Sequence, residues 1–299
     1  MSESPMSRRR FLGASLATAA TIGLPKQTAA AGTSSDKHIC AFIKYVQSLS
    51  YDDMAEAIAE LGFDGIESTV RGRGHVLPER VEEDLPKQVE AVRREGIDVT
   101  LITTDVRSVD QPLTQRVLRT AADLGVKKYR MGFYIYDPQR DIQPQLSTIR
   151  ERFKELADLN RELGITAVYQ NHAGAQYVGA PIWDLGELLR DIPADEIGMA
   201  FDIRHATVEG GLAWPLHYRR MAPHVGAVVV KDFDWQASSP RHVPLGQGRV
   251  DKRFFQLHRE SGIDCPISLH VEYLGGSGAK ENLAALKRDL AVLRKWAAV

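Results

Sequence analysis

From residue 39 onward, short runs of β-branched and apolar residues alternate with longer stretches whose apolar positions recur every three or four residues. Runs of the first kind predict strands at 39–43, 65–68, 98–103, 128–131, 166–170, 197–201, 227–230 and 267–271. Stretches of the second kind predict helices at 51–61, 85–95, 112–124, 146–163, 183–190, 252–261 and 280–296. Ser50 stands where an N-cap belongs, and Gly96, Gly125 and Gly164 stand where helices stop. Eight β-then-polar-or-helical units in roughly 260 residues match the count and size of a closed (β/α)8 barrel. The fold class expected is therefore α/β, a single (β/α)8 TIM barrel. An open doubly wound sheet also alternates β and α, but no GxGxxG follows the first strand and no linker splits the chain in two.

The first 31 residues do not share this pattern. Ser7-Arg8-Arg9-Arg10-Phe11-Leu12 precedes an Ala-rich apolar run to Leu24, and Ala29-Ala30-Ala31 follows. A basic start, a modest apolar stretch and a small-residue cleavage site predict a secretory leader of the twin-arginine type, cut after Ala31. The expected organisation is a leader over 1–31 and a barrel over 32–299. It carries the expectation of a periplasmic or secreted protein that engages the twin-arginine export machinery. The apolar run is too short for a membrane span.

Composition changes this picture little. Of 299 residues 43% are hydrophobic and 26% charged, which is enough apolar material for a large core. A net charge of −1 without a basic stripe argues against a nucleic-acid partner. Cys40 and Cys265 have no zinc-type spacing and lie in or beside strand-like runs, so they are expected as thiols more than as a disulfide. Oligomeric state stays open, with a homo-oligomer among the readings.

In a barrel of this kind chemistry gathers where strands end at the C-terminal face. There the sequence places Lys44, Glu67, Asp105, Arg130, Gln170 with His172, Asp202 with His205, Lys231 with Asp232, and His270 with Glu272. A scaffold alone would not need so many polar strand ends. Asp202 closes an apolar strand and His205 follows on the connection leaving it, a frequent arrangement for a metal or acid–base site; a helix-capping role for Asp202 is the structural alternative. His270 and Glu272 are two apart, hence on one face of their strand. Gln170 can offer a carbonyl oxygen to a hard cation or bond a ligand hydroxyl, whereas His172 can be base, acid or ligand. Arg130 can grip an anionic or hydroxylated ligand, or serve a structural ion pair. Lys231 can stand near a substrate oxygen, or pair with a barrel acid. Trp214, Trp235 and Phe233 are expected in loops of the same face, where a ring can stack on a sugar or pack a lid.

GFDGIES at 62–68, YQNH at 169–172, FDIRH at 201–205, VVVKDF at 228–233, PLGQGRVD at 244–251 and PISLHVEY at 266–273 occur in that order. Together they resemble the xylose isomerase-like barrel superfamily of sugar isomerases and epimerases, with endonuclease IV as a cousin. The resemblance implies one divalent metal, Mn, Mg, Zn or Co, and two carboxylates that bind it and move protons on either face of an enediolate. Carried over, Asp202 and Glu272 match two of its ligand positions. The fifth-strand Glu position holds Gln170 and the seventh-strand His position holds Val229, so half of the usual set differs. The ligands expected are then Asp202, Glu272, His270, His205 and Gln170. The groups expected to act on substrate are Glu272, His172, Lys231 and Glu67, with Arg130, Gln170, Trp214 and Trp235 binding it.

The function expected is that of an exported metal-dependent isomerase, epimerase or lyase on a small carbohydrate or keto-sugar. A sugar-binding barrel without turnover is the second reading, kept by Gln170 and Val229. A nuclease like endonuclease IV is the third, and it lacks the His-rich cluster and basic groove that it would need.

Overall fold

The structure, a computed structural model, describes residues 38–298; the leader expected over 1–31 lies outside them. Eight parallel strands close into a barrel: β1 (Ile39–Phe42), β2 (Gly65–Val70), β3 (Asp98–Thr104), β4 (Lys128–Arg130), β5 (Thr166–Gln170), β6 (Ile197–Asp202), β7 (Val225–Val230) and β10 (Ile267–Leu269). Each pairs with its neighbours in chain order, and β10 closes on β1 through Ile39 opposite Ile267. An antiparallel hairpin, β8 (Asp232–Gln236) and β9 (Ser239–Val243), rises from the end of β7.

The helices of the outer layer are α1 (Tyr51–Glu60), α2 (Val81–Arg94), α3 (Thr114–Asp123), α4 (Ile142–Leu163), α5 (Trp183–Leu188), α6 (Ile203–Gly210), α7 (Trp214–Met221), α8 (Arg253–Glu260) and α9 (Ala279–Ala297). Ser50 caps α1 by accepting from the Asp53 N–H at 3.1 Å. Gly164 ends α4 in the left-handed region, φ 62°, which costs a residue without Cβ little. Among the described residues, no helix is long and apolar enough to cross a membrane.

Period-two alternation divides the strands' side chains between two environments. Tyr129, Ala167, Tyr169, Met199, Phe201, Val228, Val230 and Leu269 face the helices and join the large outer core. Inside the barrel lies a small separate apolar cluster: Cys40, Leu101, Val168, Ala200, Ala227 and Val229. Two residues further along most of these strands the inward positions turn polar: Thr103, Gln170, Asp202 and Lys231 are all buried. The barrel's floor is apolar and its C-terminal mouth is a buried polar layer. Cys40 and Cys265 are not joined by a disulfide.

Two expectations need correction. His205 does not lie on a loop: Asp202 ends β6 and is itself the N-cap of α6, accepting from the His205 N–H at 3.0 Å. Trp214 is not in a mouth loop either. It is the first residue of α7, 7% exposed, and packs edge-to-face on Phe254 of α8 in the outer layer.

Candidate active site at the barrel mouth

Glu67 of β2 is wholly buried. Its Oε1 accepts from Thr103 Oγ1 at 2.5 Å and from Arg130 Nε at 2.8 Å; its Oε2 accepts from the Ser268 hydroxyl and lies 2.8 Å from His270 Nε2. Burial alone would raise this carboxyl, but the Arg130 guanidinium and His270, with the bonds from His270 and Ser268, hold it far below the usual carboxylate range. Arg130 also donates to Gln170 Oε1, and Gln170 Nε2 donates to Asp202 Oδ2 at 2.7 Å. Asp202 Oδ2 lies 3.2 Å from Lys231 Nζ, which donates to Glu272 Oε1 at 3.1 Å. Glu272 Oε1 lies 3.3 Å from His270 Nδ1, and His270 leads back to Glu67.

Seven side chains thus form a closed circuit around the mouth: Glu67, Arg130, Gln170, Asp202, Lys231, Glu272 and His270. All seven were expected from the sequence to bind or react separately; the structure makes them one network. Phe42 of β1 floors it, stacked on His270 at 4.2 Å with the Arg130 guanidinium 5.2 Å over its ring. Three carboxylates face two permanent cations and an imidazole held between two of those carboxylates. Burial would raise the Glu272 carboxyl, yet Lys231 and His270 hold it well below its ordinary value.

A cleft of about 480 Å³ opens beside the circuit, lined by His172, Arg204, His205, Glu209, Trp235 and His242 among others. His172 Nδ1 lies 2.9 Å from the Ala173 carbonyl oxygen and must donate to it, which leaves Nε2 with its lone pair. Burial, reinforced by the Lys231 charge, pushes the His172 pKa down to about 4, so its ring is neutral at pH 7. His205 Nδ1 accepts from the Ala173 N–H at 3.1 Å and lies 2.9 Å from Arg204 Nη1. Its Nε2 therefore carries the hydrogen and lies 3.5 Å from Asp202 Oδ2 without a hydrogen bond. Trp235 reaches the cleft from β8, 45% exposed; Trp214 does not.

Several groups here were not singled out. His242 of β9 lies 3.7 Å from Glu272 Oε2, and burial pushes its pKa down to about 4. Arg204 lies over Phe233 at 5.4 Å and donates to the Pro240 carbonyl oxygen. Thr103 and Ser268 supply hydroxyls to Glu67. Asp232, expected beside Lys231 among the polar strand ends, is instead a loop organiser, accepting from the backbone N–H groups of Phe233, Gly246, Gly248 and Val250 at 2.8–3.0 Å. At Gly248 a Cβ would fall 2.2 Å from the Phe233 carbonyl oxygen, so this turn requires glycine.

The five expected metal ligands do not assemble a metal site. Among the described residues, no three His, Cys, Asp or Glu side chains converge to hold an ion. Asp202 and Glu272 share the Lys231 ammonium, Gln170 turns its carbonyl to Arg130 and its N–H to Asp202, and both His270 nitrogens face carboxylates. The donors are committed to one another and to protein cations, so the arrangement does not fit a divalent ion.

A closed eight-stranded barrel with a buried polar mouth defines a (β/α)8 protein with its candidate site at the C-terminal face. The chain belongs to the xylose isomerase-like TIM barrel family, whose pattern it matches over residues 55–296. No curated protein matches it by sequence. Its fold is similar to a putative xylose isomerase from Rhodospirillum rubrum (TM-score 0.70, 16% identity, 87% of this chain and 99% of that one). It is also similar to D-psicose 3-epimerase from Clostridium cellulolyticum (0.67, 12%, 87% and 99%) and to 3-keto-D-glucoside 4-epimerase from E. coli (0.66, 14%, 87% and 99%).

Proposed function

We propose that the chain is an enzyme that moves a proton next to the carbonyl of a small keto-sugar, with isomerisation, epimerisation or elimination as the outcome. The observation that carries this reading is Lys231. Its side chain is 5% exposed, and its ammonium is held between Asp202 and Glu272 with a third N–H to offer a substrate oxygen. A fixed cation beside a developing enolate oxygen stabilises the charge that proton removal creates. His172, neutral and with Nε2 free of its carbonyl partner, is the base best suited to take that proton. Glu272 is the weaker candidate, because the Lys231 and His270 contacts that lower its pKa also lower its basicity. Trp235 offers an exposed ring at the cleft for the apolar face of a sugar. The similar epimerases named above act on ketoses or a keto-glycoside, which supports this substrate class.

The test is incubation of the protein in D2O with a panel of ketoses and 3-keto-glycosides, followed by NMR. Deuterium appearing beside the carbonyl is expected, with the rate falling about 10²–10⁴-fold in His172→Asn. Saturable binding of a sugar without any exchange would instead favour the sugar-binding reading. The twin-arginine-type leader supports placing this activity outside the cytoplasm. A mature N-terminus at Gly32, lost from the exported fraction when Arg8 and Arg9 become Lys, is the expected result.

A further inference from the structure

We propose that this barrel mouth works with built-in protein cations, Lys231 and Arg130, in place of a divalent metal ion. The inference rests on the mouth being the working site, as read above, but concerns how its charge is balanced. Asp202 and Glu272 are the circuit carboxylates that touch cleft residues, His205 and His242 respectively, and buried charges of like sign need a cation between them. Lys231 Nζ fills that place, 3.2 Å from one and 3.1 Å from the other, on a side chain 5% exposed. On the far side Arg130 does the same for Glu67 at 2.8 Å.

Gln170 is the residue that makes the scheme workable. It sits between Arg130 and Asp202, where a carboxylate would face Asp202 directly. As an amide it presents its carbonyl to the guanidinium and its N–H to Asp202 Oδ2 at 2.7 Å. The N–H donor shares Asp202 Oδ2 with the Lys231 ammonium and helps satisfy that oxygen without adding charge. Val229 adds a second reason. It belongs to the apolar cluster of the barrel interior, level with Asp202 in the β6–β7 register, and offers no donor atom there. A divalent ion brought to Asp202 and Glu272 would have to displace the Lys231 ammonium or share a buried space with it, against like-charge repulsion.

The experiment reads metal, not turnover, so its outcome is separate from that of the sugar assay. Full-length protein is purified without chelator and analysed for metal content. Its melting is then followed with added Mn2+, Mg2+, Co2+ or Zn2+, alongside Gln170→Glu. The wild type is expected to carry far less than one equivalent of metal and to melt at the same temperature with and without each ion. Gln170→Glu removes the N–H donor and adds a charge beside Asp202, so it is expected to gain an ion-dependent rise in melting temperature. A site saturated about 100-fold above its Kd raises Tm by roughly 5–10 °C. A stoichiometric metal in the wild type, or a rise of that size on adding an ion, overturns the proposal. A Gln170→Glu protein that folds yet ignores every ion overturns the role given to the amide; if that variant fails to fold, the wild-type metal content and melting still decide.

Discussion

Arg130→Met should separate the electrostatics of the mouth from its packing. The side chain keeps its apolar length, but Glu67 loses its permanent cation, and Gln170 Oε1 loses its donor. Glu67 is wholly buried and Arg130 is 5% exposed in its side chain, so water replaces little of what is removed. Breaking one side of such a pair costs about 3–5 kcal/mol. For a domain of this size that is a fall in Tm of roughly 6–20 °C at pH 7. Adding Glu67→Gln to Arg130→Met removes the stranded charge and should recover a large part of the loss.

The pH dependence of the difference is the sharper readout. In the wild type the folded Glu67 pKa lies below its unfolded value, so its contribution is complete above the unfolded value and is lost as pH falls below it. An unfolded glutamate titrates near about 4.3. Without Arg130, burial pulls the folded Glu67 pKa upward, and that acid-dependent loss shrinks or changes sign. The gap between wild type and variant should therefore narrow by about 1 kcal/mol over the pH unit below 4.3. His172 and His242, both held neutral to about pH 4, destabilise the two proteins alike in acid and largely cancel in the difference. The measurement is urea unfolding followed by circular dichroism at pH 7 and at steps down to pH 3.5. A gap under about 1 kcal/mol at pH 7, or one that stays constant into acid, would refute the buried-pair reasoning.

Three further outcomes follow from the same contacts. Because His172 is depressed to about 4, its base form persists at all higher pH; proton exchange should stay flat above about pH 5 and fall as pH drops through 4, as a rate profile in D2O will show. Asp232→Ala strands four backbone N–H groups and should cost roughly 2–4 kcal/mol, with protease cutting newly directed at residues 244–250; an unchanged cutting pattern would remove Asp232 from its organising role. Trp214→Ala should lose about 3–5 kcal/mol of stability in a melt, whereas Trp235→Ala should change stability by less than about 1 kcal/mol and weaken sugar binding, and a reversed pair of results would restore Trp214 to the site.

What the chain reveals unaided follows the strength of its local signals. The strand at 166–170 and the cap at Ser50 stand where the alternation and the serine put them. The helices between β6 and β7 are hidden because Gly210, Gly211 and Pro215 read as loop. Pro215 instead lies in the first turn of α7, where its missing N–H costs nothing. The β8–β9 hairpin is hidden for a different reason. Gln236 pairs with Ser239, so its turn is Ala237-Ser238, with Ala237 at φ 53°. None of the Gly, Asn or Asp that normally announces such a turn is present, and His242 and the true setting of Trp235 are concealed with it.

The circuit itself needs register, which no single strand carries. Glu67 lies level with Leu101, but bonds Thr103, two residues further up the next strand. The same rise of two recurs from Arg130, level with Val168, to Gln170; from Gln170, level with Ala200, to Asp202; and from Asp202, level with Val229, to Lys231. Continuing the register of Val230 with Leu269 sets Lys231 level with His270, and its partner Glu272 is again two higher. Glu272 then steps back two residues to His270, which lies level with Phe42 and, through it, with Glu67. Five rises of two residues less one fall leave a net of eight, the shear that closes a (β/α)8 barrel. Side chains can hold hands around a tilted-strand barrel only if they climb the ladder by its shear. Polar residues at strand ends are therefore readable one by one, while the bonds among them follow from the geometry of closure. A slip of two residues at β2–β3 that set Glu67 against Leu101, or at β6–β7 that set Asp202 against Val229, would leave a buried carboxylate facing an apolar side chain, which ties the barrel's register to its buried charges.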